Sequence, residues 1–278
     1  MEVQPMQDIR VVALDLDGTV FDDAKTISPR NVAAINAALQ KGVLVLPATG
    51  RPATGVPQQF LDWPGVDYAI TSNGATVTEL ATGKKLVEQP FDPALAMQLY
   101  DLLQPFGGLI SVFVDGQSYS QTGNVDACDA FLPPNLKAYF HTTRGEAADL
   151  RQFLRDHAQE IEKFSIIYPD DAARDAAWQA VLTAGPTEIT TSLDSNLEIN
   201  APGVTKGSAL LALAEHLGLA RSQLMAMGDS GNDLAMLQAA GLGVAMGNAT
   251  EEVKAAADAV SADNNHDGVA AAIEKYVL

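Results

Sequence analysis

Cysteine is almost absent: Cys128 is the only one in 278 residues. A lone thiol allows no intramolecular disulfide, and the Cys-x-x-Cys spacing of zinc sites is missing. Positive charge is scarce as well. There are 17 Lys and Arg against 35 Asp and Glu, a formal net charge of −18 and a sequence pI of about 4.4. A surface of that sign repels nucleic-acid phosphates and anionic membranes, so neither is an expected partner. It also repels phosphorylated ligands. A phosphate site in this chain therefore requires a local cation: a metal, a Lys or Arg, or a helix N-terminus. No apolar run approaches the length of a membrane span. The segment Met1–Arg10 is polar, contains Pro5, and lacks the basic-then-apolar order of a signal peptide. With the unpaired thiol, this makes the cytoplasm the expected location. Internal repeats and low-complexity tracts are missing, and no protein partner is evident. The four histidines, His141, His157, His216 and His266, share no ligand spacing.

What is present is apolar residue, 47% of the chain, enough for a packed globular protein. Ile9–Leu16 is an unbroken apolar run that suits a parallel strand covered on both faces. A helix is predicted from Pro29, with Ser28 as its cap and Gly42 closing it. Strands are predicted at Val43–Leu46 and Tyr68–Thr71. The rhythm returns near the C-terminus: helix Ser208–Leu217 with Leu210, Leu211, Ala214 and Leu217 inward, strand Leu224–Met227, helix Asp233–Ala240, strand Leu242–Met246, and helices Glu251–Ala257 and Val269–Val277. Strand and helix in alternation indicate a doubly wound α/β sheet, a Rossmann-like core. Between the halves the texture changes. Strands with polar faces (Leu109–Val114, Phe164–Tyr168) alternate with amphipathic helices (Pro93–Leu103, Glu146–Ala158, Asp171–Thr183). The expected organisation is a core of residues 1–82 and 194–278 and an inserted α+β cap of residues 83–193.

In a parallel sheet the strand C-termini share one edge, where ligands bind. The polar groups just after the predicted strands are Asp15 and Asp17, Thr49 and Arg51, Asn73, and Asp229 with Asn232 and Asp233; Lys206 starts a helix in the same half. Carboxylates, a lysine and hydroxyl or amide donors at one edge suit Mg2+ and phosphate. Asp15 and Asp17, two apart on an extended segment, point the same way. One can attack phosphorus, and the other, protonated, can serve the leaving oxygen. The same pentapeptide, Asp15–Thr19, also suits a plain turn after a strand. In Gly228–Asp233, Asp229 is the better direct ligand for an oxygen-seeking cation, and Asp233 binds through water or orients its neighbours. Helix capping by Asn232 or Asp233 is the alternative. Thr49 and the amides around Gly50 can hold phosphoryl oxygens, with Arg51 pairing a carboxylate, although a strand-to-helix turn accounts for them as well. Lys206 can neutralise the phosphate and Asp15; a lone lysine is ordinarily a solvated surface group.

With these residues in view, the chain resembles the haloacid dehalogenase-like phosphatases, and within them the Cof-type subfamily, whose large α/β cap lies between the second and third motifs. The motifs stand in order as Asp15-Leu16-Asp17-Gly18-Thr19-Val20, Thr49-Gly50-Arg51 with Thr71-Ser72-Asn73-Gly74-Ala75, Lys206 within Gly-Val-Thr-Lys-Gly, and Gly228-Asp229-Ser230-Gly231-Asn232-Asp233. Val244–Ala249 and Asn264–Val269 are similar to the subfamily too. The resemblance implies a phosphatase acting on a small phosphorylated metabolite, a sugar phosphate or phosphorylated cofactor, through an aspartyl-phosphate. It implies Asp15 as nucleophile and Asp17 as general acid and base. It implies Mg2+ held by Asp15, the Asp17 carbonyl and Asp229, with Thr49 and Lys206 on the phosphoryl group and Asn232 in support. Ser230 stands where Gly is commoner, with little consequence expected.

The inserted segment is expected to exclude water and recognise the rest of the substrate. Asp115, Gln117, Tyr119, Asn124 and Asp194 are its candidate contacts; Phe106, Phe113 and Trp178 are expected in the core. Two other functions fit parts of the pattern: a phosphomutase-type phosphotransferase, and a regulator that binds a phosphometabolite without turnover.

Overall fold

The computed structural model describes residues 8–132, 134–193 and 195–278. They fold as two units. One comprises the chain up to Thr49, Pro57–Val87 and Thr205–Leu278; the other comprises Gly50–Val56 and Glu88–Val204.

The first strand, β1 (Val11–Leu14), is at most 1% exposed at every position, the double coverage that an apolar run without alternation requires. α1 (Pro29–Gln40) follows. The Ser28 side chain accepts from the Asn31 amide, Pro29 takes the first helical position, and Gly42 turns the chain away at φ +79°. β2 (Leu44–Pro47) pairs parallel with β1. After the single turn α2 (Gln58–Leu61), β3 (Tyr68–Thr71) makes a parallel bridge from Ile70 to Ala48. It then leads into a small sheet with β4 (Thr76–Glu79) and β5 (Lys84–Glu88), which the sequence did not suggest.

The inserted unit runs α3 (Pro93–Leu103), β6 (Leu109–Val114), β7 (Gln117–Gln121), α4 (Asn124–Cys128), α5 (Pro134–Thr143), β8 (Arg144–Ala147), α6 (Leu150–Asp156), β9 (Ile161–Ile167), α7 (Asp171–Ala184), β10 (Glu188–Thr190) and β11 (Asn196–Asn200). Its sheet has the order β10-β11-β9-β6-β7-β8, antiparallel except between β7 and β8. Leu109 and Ile167 pack with Val125, Cys128, Leu132 and Phe140 under α4 and α5. The helix predicted at Glu146–Ala158 begins only at Leu150, because Arg144–Ala147 is taken up as a strand beside β7.

The chain then returns to the first unit through α8 (Lys206–His216), β12 (Leu224–Gly228), α9 (Leu234–Ala239), β13 (Leu242–Ala245), α10 (Glu251–Ala256), β14 (Ala259–Val260) and α11 (Gly268–Tyr276). The main sheet reads β14-β13-β12-β1-β2 and is parallel throughout. Val11 and Ala13 share a core with Ala209, Leu210, Leu213 and Leu237 from α8 and α9. α8 starts two residues before the predicted Ser208, because Thr205 and Ser208 form a capping box. Leu213 faces inward, whereas Leu211, expected inward, is 41% exposed.

Candidate active site

β1 and β12 are neighbours, so the chain leaves both at the same edge of the sheet. The Asp15 amide donates to the Met227 carbonyl at 3.0 Å, which fixes the first carboxylate beside the end of β12. Lys206, at the first position of α8, is fully buried. Its Nζ donates to Asp15 Oδ1 at 2.6 Å and to Asp233 Oδ1 at 2.7 Å. The other Asp233 oxygen accepts the amides of Asp229 at 2.9 Å and Ser230 at 3.0 Å. Both oxygens of Asp233 are thus committed within the protein, as an orienting group's would be. Asp229 is aimed by Thr19 Oγ1 on Oδ1 at 2.8 Å and by Ser230 Oγ on Oδ2 at 3.0 Å. The Ser230 hydroxyl, expected to matter little, is one of the two side chains that hold this carboxylate.

Gly18 sits at φ +84°, and a Cβ there would lie 2.5 Å from Asp229 Oδ2. No other residue lets the loop after β1 pass so close to that carboxylate. The Gly18 carbonyl accepts from Asn248 Nδ2 at 2.8 Å, and Asn264 Nδ2 donates to the Phe21 carbonyl at 3.1 Å. Thr19, Asn248 and Asn264 are site-building residues to which sequence reasoning gave no individual role. Their partners lie more than 200 positions away, and the sequence offered only their membership of the Asp15–Val20, Val244–Ala249 and Asn264–Val269 segments as a hint.

A second strand of contacts runs from β2. Thr49 is 1% exposed; its amide donates to Ile70 O at 2.9 Å and its carbonyl accepts from the Asn73 amide at 3.1 Å. Asn73, left-handed at φ +57°, accepts from Asn232 Nδ2 on its side-chain oxygen at 3.2 Å. Asp17 lies farther out: its side chain is 40% exposed and paired with Lys25 at 2.8 Å. Gly50 and Arg51 pack with the second unit. The Gly50 carbonyl accepts from Lys163 Nζ at 2.8 Å, and Lys163 in turn pairs with Glu198 at 2.9 Å. Arg51, expected to pair a carboxylate, donates to the Gly55 carbonyl at 2.9 Å and stands 5.3 Å from the Tyr139 ring centroid.

Among the candidates from the inserted segment, Gln117 donates to the Thr143 carbonyl at 2.9 Å and Tyr119 packs on Phe153 at 4.4 Å. Asp115 occupies a left-handed turn position at φ +46°, and Asn124 begins α4. Asp194 lies outside the described residues. Of the histidines, His141 bonds Asp129 at 3.0 Å, His157 stacks on Phe153 at 4.2 Å and His266 bonds Asp263 at 2.7 Å.

Three carboxylates, Asp15, Asp229 and Asp233, each bring an oxygen within 4.8 Å of the others. One ammonium answers them, so with all three ionised the cluster carries two negative charges in excess. Burial pushes the Asp15 carboxyl well above its ordinary value, against the pull of Lys206, and Asp233 and Asp229 push it further. Burial and then Asp233 push Asp229 up to about 6. Burial opposes the Lys206 charge, but Asp15 and Asp233 outweigh it and hold its pKa above the usual lysine value. Hard oxygen donors with this charge deficit fit a divalent cation such as Mg2+. Asp15, Asp229 and Asp233 each offer an oxygen to such an ion, and Asp233 already accepts the most internal bonds, from one ammonium and two amides.

The sequence model of the haloacid dehalogenase-like hydrolases matches residues 12–273. The chain is 34% identical over 272 residues to the 5-amino-6-(5-phospho-D-ribitylamino)uracil phosphatase of Bacillus subtilis, covering 98% of this chain and 97% of that one. It is 30% identical over 279 residues to the pyridoxal phosphate phosphatase of Escherichia coli, covering 97% and 99%. Its fold is similar to that of a haloacid dehalogenase-like hydrolase from B. subtilis, with a TM-score of 0.84, 27% identity, and coverage of 97% of this chain and 100% of that one.

Proposed function

The chain belongs to the haloacid dehalogenase-like hydrolase family, and on that premise we propose that this phosphoric monoester hydrolase is Mg2+-dependent and transfers phosphate through Asp15. The observation that carries the reading is the buried cluster in which one Lys206 ammonium spans Asp15 and Asp233 beside Asp229.

Lys206 takes up Asp15 Oδ1, so Oδ2 is the oxygen that attacks phosphorus. The new bond is Oδ2–P, and the bond from phosphorus to the ester oxygen breaks. Asp17, whose side chain is 40% exposed and must first leave Lys25 and take up a proton, gives that proton to the departing oxygen. The resulting Asp17 carboxylate then takes a proton from the water that attacks phosphorus. Inorganic phosphate leaves, Asp15 is free again, and Asp17 is again protonated. Thr49 and Asn232 hold the phosphoryl oxygens, while Lys206 offsets their charge. Asp233 fixes Lys206 and the Asp229 loop. A bound Mg2+, held by Asp15, Asp229 and the Asp17 carbonyl, supplies charge stabilisation for the transferring group. The inserted unit is the proposed specificity domain, and the substrate class is a small phosphomonoester, a sugar phosphate or phosphorylated cofactor. The substrates for which the two relatives are named, both phosphate monoesters of small heterocycle-bearing molecules, support that class.

The test is phosphate release from p-nitrophenyl phosphate and from a metabolite panel, with Mg2+ and then with EDTA. Activity is expected to vanish with EDTA and to fall on the order of a thousandfold or more in Asp15→Asn, with folding retained. Undiminished turnover in Asp15→Asn would falsify the nucleophile assignment.

A further inference from the structure

The turn after β3 joins several parts of the site. Ser72, Asn73 and Gly74 take φ values of +53°, +57° and +102° in succession. Ser72 and Asn73 carry side chains into a region that L-residues enter at a cost, and both are buried. Gly74 is glycine for a steric reason: a Cβ there would stand 2.1 Å from the Thr205 carbonyl oxygen. At position 73 a glycine would adopt the same backbone without strain. What asparagine adds there is its side chain.

The backbone and side chain of Asn73 reach different segments. Its amide donates to the Thr49 carbonyl at 3.1 Å, just past the end of β2. Its Oδ1 accepts from Asn232 Nδ2 at 3.2 Å, in the loop after β12 and 159 positions along the chain. Gly74 lies against Thr205, the cap of the helix that opens with Lys206. One turn thus touches the segments that supply Thr49, Asn232 and Lys206, all within the first unit. The turn is anchored at its start. Ile70 bridges to Ala48, its carbonyl accepts the Thr49 amide at 2.9 Å, and Thr71 pairs with Thr76 in the β3–β4 ladder. The Asn232 side-chain nitrogen carries two protons. Giving one to Asn73 fixes the direction of the other.

We propose that Asn73 is a positioning residue, whose side-chain oxygen turns the Asn232 amide toward the phosphoryl oxygens. The proposal rests on the phosphatase reading above, in which Asn232 receives those oxygens. The two contacts of Asn73 can be separated, because Asn73→Gly keeps the backbone amide on Thr49 and removes only the acceptor for Asn232.

The test uses the full chain with Mg2+ as wild type, Asn73→Gly, Asn232→Ala and the double variant, each shown by its melting to be folded. In Asn73→Gly, kcat/KM for p-nitrophenyl phosphate is expected to fall about tenfold, the loss of one positioned hydrogen bond. In the Asn232→Ala background the same change is expected to cost nothing further, because its target has gone. Losses that multiply in the double variant would give Asn73 a role independent of Asn232 and overturn the proposal. Undiminished turnover in Asn73→Gly would overturn it as well. Asn73→Ala separates strain from contact: it should melt below Asn73→Gly and share its loss of turnover. A second arm needs no hydrolysis. Solvent exchange of the Asn232 side-chain amide protons is followed by NMR, with the signals assigned by their absence in Asn232→Ala. Exchange is expected to be about tenfold faster in Asn73→Gly than in wild type, and close to wild type in Asn73→Asp, which keeps an acceptor oxygen. Equal rates in wild type and Asn73→Gly overturn the proposal. Should the wild type hydrolyse no ester, the phosphatase reading fails by itself, and the exchange rates still decide whether Asn73 orders Asn232.

Discussion

Asp229 is held ionisable among like charges. Burial and then Asp233 raise its carboxyl from 3.8 to about 6. Between those values the folded, metal-free protein keeps a proton that the unfolded chain has released. The group therefore favours folding fully below pH 3.8, and that contribution is lost as the pH climbs through 6. In EDTA, the wild-type melting temperature is expected to fall across this range more steeply than that of Asp229→Asn. At pH 8 the asparagine variant should melt a few degrees higher, and Mg2+ should raise only the wild type. Scanning calorimetry across pH checks this; superimposable profiles would remove the charge conflict from the account. Asp15, Asp17, Asp229 and Lys206 were legible in the sequence because each stands at a strand end or a helix start, where chain order alone fixes its edge. Lys163 was not. It reads as one polar residue on a strand, and only the fold shows it 1% exposed between Glu198 and the Gly50 carbonyl.

At the level of elements, α8 carries the lysine and must lie close to α9. Gly207 makes that possible: a Cβ there would stand 2.3 Å from the Ala235 carbonyl oxygen. Replacing glycine by alanine inside a helix ordinarily gains ~0.5–1 kcal/mol, whereas overpacking costs ~1–3 kcal/mol. The steric term is expected to win in Gly207→Ala. Urea denaturation should show a net loss of about 1–2 kcal/mol, with reduced turnover because Lys206 is displaced. A gain in stability would show that the two helices yield at no cost. The elements whose ends are marked by local chemistry were readable. α3, for instance, begins at Pro93 after an Asp92 cap that accepts two amides. β8 was not readable, because pairing with β7 overrides a sequence that continues smoothly into α6. The two-residue β14 is defined by its neighbour β13 and has no pattern of its own.

For the whole molecule, charge is the governing quantity. A protein at −18 repels its phosphorylated substrate until the substrate reaches the local cations of the site. Salt screens that repulsion, with a Debye length that shrinks from ~30 Å at 0.01 M to ~8 Å at 0.15 M. Second-order turnover, kcat/KM, is therefore expected to rise a fewfold as KCl increases over this range at fixed free Mg2+, and to rise less for substrates of lower charge. A monotonic fall with salt would contradict it. The doubly wound sheet was legible because alternating apolar runs and capped helices leave few topologies. The shared faces of the inserted sheet were not, since residues such as Ser118 and Arg144 come together only through strand pairing.

The full commitment of Asp233 has a consequence for ion choice. Calcium prefers ~6–8 oxygens and commonly seeks a carboxylate that can clasp it with both atoms. Here one candidate is tied to an ammonium and two amides, another has given an oxygen to the same ammonium, and Asp229 is braced on both sides by hydroxyls. Such a rigid, sparsely coordinating nest favours a compact octahedral ion that keeps its own waters. Calcium should compete for the position and leave the enzyme idle.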